Sequence, residues 1–517
     1  MTFTITTSIP YVNAAPHLGH ALELVQADVL ARHRRIRGEA TRLQSGTDDN
    51  SLKNALAAAA AGEPVRAFVD RHADIFAGLA PALDLDYDDF VRTSRDPRHA
   101  PAVRRLWQAA ERNGDLYQRH YEGLYCVGCE AFYLPADLVD GRCSEHTRPP
   151  VPVSERNWFF RLHRYAESLR RLYQDGTIRI LPEQRRNEVL AFIDGGLRDF
   201  SVSRDASRGR GSGLGVPVPG DPAQVMYVWW DALVNYLTGL HYGDPGSAAY
   251  RHWWLHGDRR VHVIGKGILR FHAIYWPAML LSAGVPVPTD IYVHDYLTAE
   301  GAKLSKSAGS RPALDPVDPF ELVREYGADA VRWWLLAEVP RVGDTDFTSE
   351  GLVRAVNRDL AGGLGNLVQR VTTMVHKYLD GVLPTLQSDQ RPDQQSELQV
   401  DEQLRGLVGE LPGRIDAALE QFAPGAATRA IMDAVRRTSQ YIERTEPWRL
   451  ARDRVAGNDQ RLRVVLAVLV SACRTIADEL SPFLPGLARK LSVRLAGNRL
   501  PKPTPAFARV ELDARVR

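Results

Sequence analysis

The chain has 517 residues, 44% of them hydrophobic and 25% charged, with 65 Lys and Arg against 63 Asp and Glu for a formal net charge of +2. That length suits about three soluble globular domains, and so even a balance excludes polyanion binding through bulk charge while leaving local basic faces open. Four cysteines are too few for a disulfide framework. There is no uninterrupted apolar span of about 18 residues and no basic leader ahead of an apolar core, so a cytoplasmic protein without membrane attachment is expected.

The first run, TFTITTSIPY, is rich in Thr and Ile with partial alternation and reads as a strand. Leu18, Ala21, Leu22, Val25 and Val29 then recur at helical spacing until Gly38, a natural residue to follow a helix. Between the two lies PHLGH, residues 16–20, which puts His17 and His20 on one face at the mouth of the helix. Unpaired N–H groups and the positive end of the helix dipole make that mouth a natural anion site, and Gly19 has no side chain to hold a ligand off, although an isolated HxGH reads as two surface histidines in a turn unless a second phosphate element accompanies it. The alanine run at 57–61 is a strong helix former ended by Gly62. Helical runs such as ALELVQADVLARHRRIRG and APAVRRLWQAAERNG alternate with strand-like ones up to about residue 112.

Next comes CVGC at 126–129 and, after thirteen residues, CSEH at 143–146. Two turns that each offer a ligand pair converge on one tetrahedral ion, and thiolates with imidazole suit Zn²⁺. Four protein ligands, Cys126, Cys129, Cys143 and His146, leave no open position, so the ion is expected to be structural and to hold an insertion of small core. The glycine- and proline-rich RGRGSGLGVPVPGDP closes this stretch, and strand-like QVMYVWW and RRVHVIGKG resume, each running into helical sequence. An α/β pattern that is interrupted and restarted predicts a doubly wound parallel sheet, of Rossmann type, with an insertion between its halves and ligands at the strands' carboxyl ends. From about residue 351 helical periodicity dominates, broken by the polar LQSDQRPDQQSELQVDEQ, which predicts a helix bundle with one long connection. Cys473, in the apolar VVLAVLVSAC, is expected to be a buried thiol.

KLSKS at 303–307, flanked by Gly301 and Gly309, carries two cations and two hydroxyls on one hinged loop that can close over a polyphosphate, although alone it reads as a solvated basic loop. Paired with HLGH it resembles the signature motifs of the class I aminoacyl-tRNA synthetases. Over nearly the whole chain the sequence is similar to the methionyl-tRNA synthetase family. SIPYVNAAPHLGH, GTDD, the single zinc knuckle, YVWWDALVNY, IGKGILRFHAIYWPAML, KLSKS, DPFELVREYGADAVRWWLL, LGNLVQR and EPW carry that resemblance. It implies a catalytic domain in two halves, 1–112 and 218–297, a connective insertion with the zinc knuckle at 113–217, and a loop and stem-contact region at 298–350. A helical anticodon-binding domain follows at 351–500, with a terminal peptide at 501–517. The leucine, isoleucine and valine enzymes carry a much longer editing insertion than the roughly hundred residues found here.

The resemblance further implies roles for individual residues. His17, Gly19, His20, Lys303, Ser305, Lys306 and Ser307 would bind ATP with its Mg²⁺, and His17, His20, Lys303 and Lys306 would carry the catalysis. Tyr11, Trp229, Leu233, Tyr236, Ile268, Phe271, His272 and Trp276 would surround the methionine side chain, with Asp48 on its ammonium and Ile9 contributing backbone. A thioether gains from aromatic contact, and a desolvated ammonium needs a charge partner. On the residues alone, Trp229 and Tyr236 read equally as core, and Asp231 as a helix cap. Asn366 and Arg370, four apart on one helix face, would read the CAU anticodon of tRNA(Met) with Trp448, where the plain reading is a solvated charge and a packed ring.

Three departures stand out: GTDD continues as Asn50 and Ser51, Gly267 follows IGK where relatives carry aspartate, and Leu304 replaces methionine in the lysine loop. The expected activity is ATP-dependent ligation of L-methionine to initiator and elongator tRNA(Met) by a monomer, since the tail leaves no room for an appended dimerisation domain. The alternatives are another class I synthetase, such as the cysteine enzyme, a nucleotidyltransferase using HxGH, and a non-catalytic RNA-binding protein.

Overall fold

The computed structural model describes residues 1–126, 131–133, 138–143, 149–206, 213–299, 302–303, 317–384, 395–453 and 455–512. The chain divides into two compact units, Met1–Pro319 with Val342–Thr345, and Phe320–Arg341 with Asp346–Arg517.

The first unit is built on a six-stranded, wholly parallel sheet. In chain order its strands are β1 (Thr2–Thr7), β2 (Ala40–Thr47), β3 (Asp89–Arg92), β4 (Arg179–Leu181), β5 (Arg259–Gly265) and β6 (Asp290–His294), and across the sheet they run β3-β2-β1-β5-β6-β4. β1 and β6 are buried almost throughout, which is why their sequences lack clean alternation: helices cover both faces of a parallel sheet. Strand order reverses between β1 and β5, so the crevice at their carboxyl ends is the place where this architecture binds ligands.

The insertion differs in kind. Leu116–Cys126 pairs antiparallel with Val151–Phe160, from Leu116 opposite Phe160 to Tyr125 opposite Val151. The second of these strands alternates exposed and buried residues over most of its length, as a sheet with one wet face does. Two sequence expectations are corrected. QVMYVWW is not a strand of the parallel sheet: Asp221–Met226 pairs antiparallel with Ser203–Asp205, and Val228–Leu233 is helical. Conversely, β4 of the parallel sheet comes from residues 179–181, inside the stretch read as insertion.

The second unit is helical. Pro424–Thr445 and Ala456–Leu480 are its long members, with Asn366–Leu379, Gln395–Gly409 and Leu411–Glu420 packed on them. The helix Gln395–Gly409 begins inside the polar run read as a connection. Arg461 bonds both oxygens of Asp401, at 2.6 and 2.8 Å, and the Tyr441 hydroxyl donates to the same carboxylate at 2.6 Å, so three helices share one buried polar joint. Cys473 is fully buried, and burial pushes its thiol up to about 12. Among the described residues no helix is long and apolar enough to cross a membrane.

Candidate active site

The helix Leu18–Ile36 starts on a capping box made of histidines. His17 is the N-cap, its Nδ1 accepting from the Gly19 N–H at 3.1 Å, while His20 Nδ1 accepts from the His17 N–H at 3.1 Å. Ser or Thr with Glu usually fill these two places. Because each Nδ1 accepts a backbone proton, each neutral ring carries its own proton on Nε2. The rings stack, with centroids 3.8 Å apart. A Cβ on Gly19 would lie 2.9 Å from the His17 ring, so glycine here keeps the cap as well as letting a ligand approach.

These histidines line a cleft at the carboxyl ends of β1, β2, β5 and β6, together with Ser8, Gly46, Gly265, Ile268 and Tyr296, where this architecture binds ligands. Sequence reasoning missed two buried polar residues of its wall. Glu23 accepts from the Ser8 N–H at 2.7 Å and its hydroxyl at 2.6 Å, and its other oxygen meets His294 Nε2 at 2.9 Å. The signal for Glu23 was present, since it lies one turn beyond His20 on the same helix face. His294 ends a strand buried on both sides, where no pattern marks it.

Ile268 joins the cleft to an aromatic pocket, because its carbonyl accepts from His272 Nδ1 at 2.9 Å. That bond puts the His272 proton on Nδ1 and leaves Nε2 to accept from the Tyr236 hydroxyl at 2.6 Å. Trp276 Nε1 donates to His262 Nε2 at 3.1 Å, so His262 in turn donates from Nδ1 to Thr6 Oγ1 at 2.6 Å. Burial lowers His272 to about 4 and His262 well below the usual histidine value, and it raises the Tyr236 phenol well above its own. The two histidines and Tyr236 are thus uncharged, with their polar atoms matched to one another and to Ile268, Trp276 and Thr6. Trp229 stacks on Phe271 at 3.7 Å between centroids, and Tyr11 meets Trp229 edge-on at 6.4 Å. Leu233 belongs to the same buried cluster as Tyr236 and Trp276. Ile9 lies between Ser8 and Pro10, both on the cleft.

The two carboxylates of GTDD divide their work. Asp48 bridges to Tyr11, its N–H donating to the Pro10 carbonyl at 2.9 Å, and its Oδ1 accepts from the Asn50 N–H at 3.3 Å. Asp49 turns away to accept from the Thr47 and Ser94 hydroxyls, each at 2.7 Å, and burial raises its pKa. Asp231 is no helix cap: it accepts from Asn50 Nδ2 at 2.7 Å and faces His99 Nε2 at 2.5 Å.

The family model for tRNA synthetases class I (M) matches residues 3–148 and 133–372. The methionine–tRNA ligase of Caldanaerobacter subterraneus subsp. tengcongensis is 39% identical over 494 residues, spanning 96% of this chain and 74% of that one. The Mycobacterium bovis methionine–tRNA ligase is 39% identical over 98% of both chains. The chain belongs to the methionyl-tRNA synthetases. Its fold superposes on the crystal structure of Mycobacterium tuberculosis methionyl-tRNA synthetase bound by methionyl-adenylate with a TM-score of 0.90, at 36% identity and with 98% and 100% of the two chains covered. The free-state crystal structure of that enzyme gives 0.85 at 34% identity, with 99% and 98% covered. The alternatives outside the methionyl-tRNA synthetases are not favoured.

Some residues expected from this family's motifs fall outside the described part: Ser305, Lys306 and Ser307 of the lysine loop, and Cys129 and His146 of the knuckle. The backbone of Lys303 lies opposite Thr298, and the carbonyl of Val317, the first described residue after it, accepts from the Leu18 N–H at 3.0 Å. Cys126 and Cys143 are both buried, Cys143 Sγ lying 3.4 Å from the Tyr133 hydroxyl. Among the described residues no group of three or more His, Cys, Asp or Glu is placed to hold a metal. In the helical unit Asn366 is exposed at the start of its helix, Arg370 pairs with Glu443 at 2.6 Å, and Trp448 is half-buried behind Pro447. That ion pair draws the Asn366–Leu379 helix against the end of Pro424–Thr445, five residues before Trp448.

Proposed function

We infer that this chain activates L-methionine with ATP to methionyl-adenylate and transfers the methionyl group to the 3′ end of tRNA(Met), initiator and elongator. One observation supports this reading: the helix mouth capped by His17 and His20 opens on a cleft whose Ile268 is hydrogen-bonded to His272, a member of a cluster of aromatic side chains, with Asp48 bridged to Tyr11. In the first step a methionine carboxylate oxygen attacks the α-phosphorus, and the bond to the departing pyrophosphate breaks. Such chemistry depends on alignment and charge stabilisation and requires no protein nucleophile. His17 and His20 offer their Nε2–H groups to phosphate oxygens, Asp48 holds the ammonium, and Lys303 and Lys306 neutralise charge that builds on the pyrophosphate, with Mg²⁺ on the nucleotide. Tyr236 and His272 are locked to each other, so the pocket selects by shape and polarizability. A methylene is worth only about 1–3 kcal/mol, and homocysteine and norleucine are imperfectly excluded.

The two buried thiols Cys126 and Cys143, at the end of a hairpin with little core, support a structural Zn²⁺ completed by Cys129 and His146. Asn366, Arg370 and Trp448 are assigned to the CAU anticodon, whose unpaired bases are read by stacking and edge hydrogen bonds. The working form is a cytoplasmic monomer. Methionine-dependent exchange of labelled pyrophosphate into ATP, run against each of the twenty amino acids, tests the reading. Methionine should stand well above the rest, and a faster rate with cysteine would replace it by the cysteine enzyme.

A further inference from the structure

We propose that the Tyr296 hydroxyl reads the ribose of the bound nucleotide, and that residue 267 is glycine to leave room for it. The proposal rests on ATP occupying this cleft. Gly267 and Tyr296 both line the cleft, just beyond the carboxyl ends of β5 and β6. A Cβ built on Gly267 would lie 2.0 Å from the Tyr296 hydroxyl oxygen and 3.3 Å from the ring carbon that bears it. The hydroxyl therefore fills the volume that a side chain at 267 would take.

The tyrosine is held from several sides. Its N–H donates to Asp344 at 3.0 Å, its carbonyl accepts from the Thr345 N–H at 3.0 Å, and Lys266 Nζ lies 4.6 Å over its ring while pairing with Asp344 at 2.5 Å. With phosphates seated at the His17–His20 end, the nucleoside must extend across the cleft towards Gly265, Gly267, Ile268 and Leu297. The carboxylates there are committed: Asp295 gives one oxygen to Arg185 and the other to the Gly343 N–H at 2.6 Å, and Glu23 is bound by Ser8 and His294. A phenol hydroxyl both donates and accepts, and can serve a sugar hydroxyl in addition to a protein partner.

The test compares kcat/KM in pyrophosphate exchange for ATP, 2′-deoxy-ATP and 3′-deoxy-ATP with the full chain, Tyr296→Phe, Gly267→Ala and the double variant. The unaltered protein should prefer ATP to one deoxy analogue by about five- to tenfold, the worth of one hydrogen bond. Tyr296→Phe should bring that ratio close to one and leave the KM for methionine unchanged. Gly267→Ala pushes the hydroxyl aside, so it should lower the ratio likewise and add nothing in the Phe background. A ratio unmoved by Tyr296→Phe, or independent effects of the two substitutions, overturns the proposal alone. Absence of methionine-dependent exchange in the unaltered protein overturns it together with the reading it rests on.

Discussion

The Leu18 N–H donates to the Val317 carbonyl at 3.0 Å, tying the mouth of the histidine-capped helix to the first described residue after the lysine loop. On the upstream side Lys303 lies opposite Thr298, next to the cleft residue Leu297. The HLGH helix mouth is thus hydrogen-bonded to a residue nearly three hundred positions away in sequence.

On the proposed function, Lys306 acts on charge present in the transition state. Lys306→Ala should slow adenylate formation on the order of 100-fold or more in a single-turnover assay. Methionine affinity by equilibrium dialysis should change by less than about twofold. Equal losses in both would remove its assigned role.

The Tyr236–His272 bond sets a second expectation. Tyr236→Phe leaves His272 Nε2 buried without its hydroxyl donor, a penalty of about 1–3 kcal/mol. Steady-state kinetics should give a methionine KM raised roughly tenfold or more, with the KM for ATP within about twofold. A change in the ATP term alone would contradict this division of the site.

Acid should destabilise the fold through its two neutral buried histidines. Burial holds His272 at about 4 and His262 well below its usual value, while both titrate near 6.5 when unfolded. Between those limits the unfolded chain takes up protons that the folded chain refuses. Stability is therefore full above about pH 6.5 and falls as the pH drops towards 4, by on the order of 3 kcal/mol for His272. Melting curves from pH 7 to 4.5 should show a shallower acid limb for His272→Gln than for the unaltered chain. Parallel curves would place the acid sensitivity elsewhere.

Metal analysis checks the knuckle. The purified chain should carry close to one zinc, and Cys143→Ala should lose it while keeping methionine-dependent exchange above background, because the closed ligand set gives the ion no place in the chemistry. Full zinc retention by that variant would remove Cys143 from the ligand set.

Much of this site was legible because its motifs are local. HLGH sits where a strand hands over to a helix, and its spacing alone puts both rings on one face; that they also cap the helix was not foreseen, since histidine is an unusual cap. The aromatic residues between Trp229 and Trp276 are assigned to a methionine pocket through family resemblance, as burial alone reads them as core. His262, Glu23, His294 and Tyr296 were missed. Three of them lie in or just beyond fully buried parallel strands, where no alternation tells which side chain faces a cleft. β4 escaped notice because three residues with neighbours far along the chain carry no periodic signal. The tautomers of the two neutral histidines depend on partners such as Thr6 and Trp276, 256 and 14 residues from His262, and only folding reveals them.

The most direct check on the central claim joins both half-reactions. The chain is incubated with ATP, Mg²⁺ and labelled methionine, the protein-bound adenylate is isolated by gel filtration, and tRNA is then added. Label should pass to the 3′ end of a tRNA bearing CAU and far less to the same tRNA with an altered anticodon. Failure to form bound methionyl-adenylate, or transfer indifferent to the anticodon, would contradict the account.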